Sequence, residues 1–198
     1  MTKDTNEWAH FVGGRYTPSS FMREARKFDV SRNITPQQTK GLKFGDVVNL
    51  MQWTEGEAKL FGQFVVTRVF VRDSDVSSAL TKRLLDEGRA RPGGGGETKV
   101  MRDCGSYVCS GGVIVNEEEV SILEIVKMEE AISTQLGKGQ IKCMVGGKIV
   151  SEFSPPISLG KHGPKFSRGF IRFSTGAAKQ QHNHPSEVVP VEEYTRSK

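Results

Sequence analysis

The chain has 198 residues, of which 36% are hydrophobic, and a formal net charge of +5. Its longest apolar runs, such as residues 64–66 and 113–115, are far shorter than the ~20 residues of a membrane-spanning helix, and its polar N-terminus lacks an apolar signal-peptide region. Three cysteines are too few for a secreted disulfide framework. We therefore expect a soluble, cytoplasmic globular protein that has no membrane partner and keeps its thiols reduced.

The first half of the chain predicts short helices and strands. Two Thr-Pro pairs, at residues 17 and 35, each offer a helix N-cap followed by proline at the first helical position. The strand at 61–72 is apolar on both faces and should be central in its sheet. In chain order the predicted elements are a strand at 8–12, a helix from 17, a short helix from 35 to 41, a strand at 47–50, the strand at 61–72 and a helix at 75–87.

The second half predicts short strands, one helix and a polar tail. Asn116 and Glu119 form a capping pair before a helix that extends to about Gln135, although the β-branched residues at 120–126 make a strand the competing interpretation. Gly146-Gly147 predicts a two-residue hairpin turn. In chain order we expect a flexible loop at 92–96, strands at 100–108 and 111–115, the helix, a hairpin at 141–150, a break at Pro155-Pro156, a strand at 166–173 and a disordered tail at 177–198.

Charge is sorted along the sequence. Between Lys138 and His184 eight basic residues accompany a single acid, Glu152, which gives a local charge of +7, whereas residues 92–137 sum to −5. Each Lys or Arg that meets a phosphate releases condensed counterions, so a phosphate-bearing partner commonly explains such sorting. A solvated surface with a basic tail is the alternative.

The segment 166–173 interleaves aromatic and basic side chains. In an extended strand Arg168, Phe170 and Arg172 share one face, where a base would stack on the ring and the guanidinium groups would hold phosphates. We expect a nucleic-acid site here that is completed by four lysines: Lys142, Lys148, Lys161 and Lys165. The alternative is a half-buried strand with Phe170 in the core.

RNA is the favoured partner and single-stranded DNA the alternative. The sequence shows no recognition helix with a basic face flanked by a second helix, which duplex DNA readers use, whereas an aromatic and basic strand suits splayed bases.

The cysteines and histidines give little support for catalysis or metal binding. Cys104 and Cys109 are spaced C-x4-C and would need Cys143 or a histidine to complete a zinc site, but zinc pairs are usually C-x2-C. No phosphate-binding loop occurs. We therefore expect unligated thiols, no metal, no cofactor, no catalytic residue and no enzymatic activity, and zinc at the three cysteines is the alternative.

The block at residues 39–48, Thr-Lys-Gly-Leu-Lys-Phe-Gly-Asp-Val-Val, is followed by a strand, a polar loop and the segment 64–69. It resembles the core of PUA-like domains, including the ASCH group. Gly45 would supply the tight turn and Asp46 would cap local backbone amides. The resemblance implies a small β-barrel that binds RNA or modified nucleic acid.

The predicted fold is thus α+β, with a small PUA-like β-barrel, short flanking helices and an additional C-terminal β-rich extension. Residues 1–91 form the barrel portion, and the basic residues 92–176 complete or extend the same sheet.

We expect a basic, nucleic-acid-binding protein. The alternatives are a nucleic-acid-processing enzyme of ASCH-like type, for which Lys43 and Asp46 are the pocket residues to consider, and an interaction protein that recognises an acidic protein surface. The oligomeric state stays open.

Overall fold

The computed structural model describes residues 6–28, 30–34, 38, 40–93, 107–109, 112–140, 143–160 and 163–173. The fold is α+β, and these residues form three helices and nine strands. The helices are α1 (Pro18–Phe28), α2 (Ser74–Asp86) and α3 (Ile122–Gln135). The strands are β1 (Glu7–Phe11), β2 (Val30–Ile34), β3 (Val47–Thr54), β4 (Glu57–Phe70), β5 (Ala90–Pro92), β6 (Tyr107–Cys109), β7 (Val113–Val115), β8 (Cys143–Ser158) and β9 (Phe170–Arg172).

The chain divides into two compact units, each built from separate stretches of sequence. Unit 1 comprises residues 1–30, 47–64 and 148–198, and unit 2 comprises residues 31–46 and 65–147. The long strands β4 and β8 each contribute residues to both units, and β8 pairs with β2 and β4. The sequence-based division after residue 91 does not coincide with these units, because each unit joins strands from distant parts of the chain.

The sheet of unit 1 has the order β9–β1–β3–β4. Strand β1 is parallel to β3 and antiparallel to β9. Strands β3 and β4 are joined by a two-residue turn in which Glu55 and Gly56 both have positive φ, 57° and 79°, as a type I′ hairpin requires. The core on one side of this sheet is formed by apolar side chains that include Ala9, Phe11, Met51, Ala58, Leu60, Phe153 and Leu159.

Helix α1 begins at the expected Thr-Pro pair. The Thr17 hydroxyl accepts a hydrogen bond from the Ser20 backbone N–H at 3.2 Å, which caps the first turn. Its buried residues are Phe21, Met22 and Ala25, spaced for one face of a helix, and its exposed face carries Arg23, Arg26 and Lys27. A Cβ at Gly62 would lie 3.0 Å from the Met22 sulfur, so a glycine there allows α1 to approach β4 closely.

In unit 2 the sheet order is β4–β6–β7–β5. Strand β6 runs parallel to β4 and antiparallel to β7, and β7 is antiparallel to β5. Helix α2 has Asp73 as its N-cap, whose carboxylate accepts from the backbone N–H groups of Asp75 and Val76. Helices α2 and α3 pack together through apolar residues that include Val76, Leu80, Leu84, Ile122, Ile125 and Ile132.

The prediction of a hairpin at Gly146-Gly147 is wrong. Strand β8 is continuous from Cys143 to Ser158 and includes Pro155 and Pro156, which therefore do not end it. Neither glycine has the positive φ that a two-residue turn needs, and both are buried inside the strand. Burial of this segment between its neighbours thus outweighs the local turn preference of a Gly-Gly pair.

Helix α3 is a helix rather than the competing strand, but it begins after the predicted position. Its N-cap is Ser121, which forms a capping box with Glu124. Asn116 instead forms a turn, in which its side chain accepts from the backbone N–H of Glu118 at 3.3 Å.

Several sequence-based expectations lie wholly or largely outside the described residues. These are the helix at 35–41, the loop at 94–96, the strand before residue 107 and the tail at 177–198. Strands β2 and β5 were not expected from the sequence. The described helices include none with the length and apolar character needed to cross a membrane.

Candidate nucleic-acid interface

The predicted nucleic-acid face at the end of the chain lies against strand β1. The strand is shorter than the predicted 166–173, so Arg168 precedes it, but the predicted alternation holds for Phe170, which stands opposite His10, and for Arg172, which stands opposite Trp8. The rings of Phe170 and His10 are stacked, with centroids 4.7 Å apart and planes at 25°. The guanidinium of Arg172 lies 5.3 Å from the centre of the Trp8 ring, within the range of a cation–π contact.

This placement corrects the expected role of Phe170. Its side chain is only 7% exposed, so its ring offers no open face to a base. The physical reason is that β9 pairs with β1, so that the Phe170 ring stacks beside His10 on the same face of the sheet. Arg172 remains exposed.

The other predicted site residues that the structure describes all belong to unit 1. Lys165 and Arg168 are exposed on the segment that leads into β9, and Lys148 is half-buried in β8. Lys142 and Lys161 lie outside the described residues. Within the described part of the chain, neither Lys165 nor Arg168 has an acidic side chain at ion-pair distance.

Three aromatic side chains of unit 1 form a contiguous surface, which we call the aromatic patch: Phe11, Trp53 and Phe166. The ring centroids of Trp53 and Phe166 are 6.5 Å apart, and each ring also contacts Phe11. Phe11 is buried, whereas Trp53 and Phe166 are 43% and 55% exposed. The two outer rings therefore rest on a buried ring and still present open surface.

Sequence reasoning did not predict that Trp53 would belong to the aromatic patch. Phe166 belongs to the aromatic and basic segment already singled out, but Trp53 is 113 residues earlier in the numbering. The available signal was a tryptophan immediately before the polar turn at 54–57, since a large aromatic residue at a strand end, beside solvent, is a frequent contact residue.

The positive charge is concentrated in unit 1. Its described residues include nine Lys or Arg and five Glu, a net charge of +4, whereas those of unit 2 include eleven basic and eleven acidic residues. The structure thus assigns the charge excess to the unit that carries the aromatic patch.

Unit 1 also has a cleft of about 340 Å³. Its walls are formed in part by the apolar side chains of Met22, Phe61 and Phe153, which come from α1, β4 and β8. Its polar lining includes Gln52 and Thr54 of β3. This volume is at the lower end of the range for small-molecule sites.

The two charged residues that line the cleft are already paired. The Lys59 ammonium lies 2.7 Å from a Glu55 carboxylate oxygen and 3.8 Å from Glu57, and Glu152 forms an ion pair with Arg26. The hydrogen bond to Glu55 raises the pKa of Lys59 and lowers the pKa of Glu55. The charges of Lys59 and Glu152, which line the cleft, are therefore compensated by ion pairs with neighbouring side chains.

Of the three cysteines considered for metal binding and catalysis, only Cys143 has a side chain that the structure describes. Cys143 is buried, its thiol donates to the Phe70 carbonyl oxygen at 3.3 Å, and burial raises its pKa to about 12, which disfavours the thiolate that binds metal. Cys104 and the side chain of Cys109 lie outside the described residues. The side chains that the structure describes include no group of three or more His, Cys, Asp or Glu suited to a metal ion.

Asp46 has the capping role that the sequence predicted. Its carboxylate accepts from the Lys43 backbone N–H at 2.9 Å, and its side chain is buried. The adjacent Gly45 has a φ of 86°, and its N–H donates to the Val66 carbonyl oxygen at 2.8 Å. The carboxylate of Asp46 thus stabilises the turn before β3.

No protein-family model, curated protein or solved structure shows significant similarity to this chain. The resemblance to PUA-like domains consequently remains a prediction from residues 39–48 and 64–69.

Proposed function

We propose that this protein binds single-stranded nucleic acid, with RNA favoured, through the aromatic patch and the adjacent basic residues Lys165 and Arg168. The observation that carries the proposal is the pair of exposed, mutually contacting rings of Trp53 and Phe166 on the unit with the net positive charge. Because Phe166 precedes Arg168 by two residues, stacking and phosphate contacts arise from the same short segment.

The energetics favour a strand with accessible bases. Each base that stacks on an aromatic side chain contributes ~1–3 kcal/mol to the free energy of binding. Bases in a duplex do not gain this contribution, because they are already stacked on each other. Lys165 and Arg168 would contact phosphates, and their lack of acidic partners among the described residues leaves their charge uncompensated. Within the described residues of unit 1 there is one helix, α1, so the helix pair of a major-groove reader is not formed there.

The relation to PUA-like barrels is part of the same proposal. It is supported by the Gly45-Asp46 turn, which immediately precedes β3, and by the long strand β4, which pairs with β3 through the hairpin at residues 55–56. Closure of β3, β4 and their neighbouring strands into a barrel would support the relation, and an open sheet would contradict it.

The test is binding of a fluorescently labelled oligouridine of about 15 nucleotides, measured by fluorescence anisotropy at fixed salt. The same measurement with single-stranded DNA, duplex DNA and polyglutamate distinguishes the partner classes. We expect the double variant Trp53→Ala/Phe166→Ala to weaken binding of the oligouridine by at least tenfold, because two stacking surfaces are lost.

The matched control is Leu136→Ala, which removes an exposed apolar side chain from unit 2. This variant should bind as the unchanged protein does. Tighter binding to polyglutamate than to either single strand would overturn the proposal in favour of an acidic protein partner. Equal binding of the oligouridine by the double variant and the unchanged protein would show that the aromatic patch is not the interface.

A further inference from the structure

We propose that the turn at residues 13–16, which lies beside the aromatic patch, is a second contact segment of the same nucleic-acid site. The sugar–phosphate backbone of the bound strand passes over Gly13 and Gly14, Arg15 contacts a phosphate, and the ring of Tyr16 stacks on a base. This inference rests on the proposed function and extends the site beyond the two exposed rings of the patch.

The turn follows strand β1 and stays close to the patch. Phe11, whose ring underlies the patch, is the last residue of β1, and Gly13 is two residues further on. The Gly13 carbonyl oxygen accepts from the Tyr16 N–H at 3.3 Å, which closes the turn. The Tyr16 carbonyl oxygen accepts from the Gln52 amide at 3.4 Å, so the turn ends beside the chain neighbour of Trp53. A strand that stacks on the patch can therefore continue onto the turn.

The conformation and packing of the described residues require neither glycine of this turn. Neither Gly13 nor Gly14 has a positive φ, so other residues can adopt their backbone conformations. A Cβ added at either position would meet no atom of the described residues within 4 Å, so close packing does not demand glycine there. What the two glycines provide is bare, exposed backbone, which a ligand can approach more closely than it can approach a side chain.

The turn also carries donors for a phosphate. In the part of the chain that the structure describes, the N–H groups of Gly14 and Arg15 donate to no acceptor. Backbone N–H groups are frequent phosphate contacts in nucleic-acid complexes. Arg15 is exposed, and no acidic side chain of the described residues lies at ion-pair distance from its guanidinium. Its charge is therefore uncompensated, as is that of Lys165 and Arg168.

Tyr16 supplies a third stacking surface. It is 41% exposed, close to the 43% of Trp53. Its ring contacts Phe21 of α1 with centroids 6.1 Å apart and planes at 83°. This contact holds the Tyr16 ring at the surface, as Phe11 holds the rings of Trp53 and Phe166. An aromatic ring that is held in place and still open to solvent is suited to stacking on a base of a single strand.

The experiment measures binding of the labelled oligouridine by the full chain with four changes in the turn. Gly13→Gln/Gly14→Gln fills the open space with uncharged side chains, and Gly13→Ala/Gly14→Ala adds only two methyl groups. Arg15→Gln removes the charge, and Tyr16→Ala removes the ring. The matched controls are Tyr16→Phe, which keeps the ring, and Ser78→Gln, on the exposed face of α2 in unit 2. Thermal unfolding of each variant reports its folding.

We expect both double glycine variants to unfold at no lower a temperature than the unchanged protein, because the added atoms meet open space. Tyr16→Ala should weaken binding by at least about fivefold, the lower limit for one stacked base, and the double glutamine variant should do the same by displacing the strand from the turn. Arg15→Gln should flatten the slope of log K against log salt by ~0.7, the effect of one phosphate contact. Both controls should bind as the unchanged protein does.

The two proposals fail in different ways. If Trp53→Ala binds the oligomer weakly whereas the glutamine, Arg15 and Tyr16 variants bind it normally, the turn is not part of the site and the proposed function stands. Loss of folding in Gly13→Ala/Gly14→Ala would show that the fold itself requires these glycines and would also overturn the path over the turn. If no oligomer binds the unchanged protein, the proposed function fails and the contact with the turn fails with it.

Discussion

The rings of Phe170 and His10 are stacked with their centroids 4.7 Å apart, across the antiparallel pair of β9 and β1. The contact fixes the edge strand β9 to the sheet of unit 1. Of the aromatic residues in the last described segment, Phe170 is buried in this contact, whereas Phe166 is 55% exposed.

Replacing Phe170 should therefore affect folding. We expect Phe170→Ala to lower the free energy of unfolding by roughly 3–5 kcal/mol, the usual cost of truncating a buried phenylalanine. Phe166→Ala, which removes a largely exposed ring, should cost less than about 1 kcal/mol. Urea unfolding followed by circular dichroism measures both. A larger loss for Phe166→Ala than for Phe170→Ala would contradict the burial that separates these rings.

Segment 166–173 shows which structural features could be predicted from the sequence and which could not. Period-two alternation correctly placed Phe170 and Arg172 on one face, because that follows from strand geometry. It gave no information on which strand would pair with this segment, since pairing between β9 and β1 joins residues 160 to 164 positions apart. Trp53 was missed for the same reason, because its contacts with Phe11 and Phe166 are made only in the folded chain.

Local signals were sufficient where a feature depends on neighbouring residues. The Thr17-Pro18 helix start and the Asp46 cap both occur as predicted, because a hydroxyl or carboxylate meets an amide three residues away. The Gly146-Gly147 hairpin failed because burial of β8, a tertiary property, decided the conformation.

Salt dependence should distinguish the two kinds of contact in the proposed interface. For single strands the slope of log K against log salt changes by ~0.7 for each phosphate contact, so the double variant Lys165→Ala/Arg168→Ala should flatten the slope by about 1.4. Trp53→Ala should weaken binding by ~1–3 kcal/mol with an unchanged slope, because stacking releases few ions. Anisotropy titrations at four salt concentrations measure both effects.

The control for the charge change is Lys82→Ala/Lys127→Ala, which removes two exposed lysines from unit 2. This variant has the same net charge as the double variant of the interface. An equal loss of slope in the two variants would indicate a general effect of net charge and would contradict local phosphate contacts at Lys165 and Arg168.

The turn before β3 should be sensitive to the loss of its cap. Asp46→Ala removes the acceptor of the Lys43 N–H, and we expect a loss of roughly 1–2 kcal/mol in the free energy of unfolding. Asp46→Asn retains a side-chain oxygen and should lose less. If Asp46 were instead a catalytic acid, Asn and Ala would abolish hydrolysis of a nucleotide substrate equally while leaving stability unchanged, so urea unfolding and a phosphate-release assay decide between the roles.

Glu129 of helix α3 is a carboxyl group in the interior of unit 2. Its side chain is wholly buried, and neither carboxylate oxygen has a hydrogen-bond partner among the described residues. Burial raises its pKa from an ordinary 4.5 to about 7, with a smaller contribution from the charge of Glu130. The folded protein therefore holds this proton more tightly than the unfolded chain does.

The consequence is a loss of stability as the pH rises. Below pH 4.5 both states are protonated, and between pH 4.5 and about 7 only the folded state keeps the proton, so the free energy of unfolding falls across this interval. With ~1.4 kcal/mol for each pKa unit, the total loss is roughly 3 kcal/mol.

Glu129→Gln, which cannot ionise, should therefore stabilise the protein at pH 8 relative to the unchanged chain by roughly 2.5 kcal/mol more than it does at pH 5. Urea unfolding at the two pH values gives the difference directly. Glu130→Gln is the matched control, because this neighbour is exposed, and its effect on stability relative to the unchanged chain should be nearly the same at pH 5 and pH 8. If the effect of Glu129→Gln relative to the unchanged chain were also the same at pH 5 and pH 8, Glu129 would ionise freely in the folded state and its carboxyl group would not be held in a dry interior.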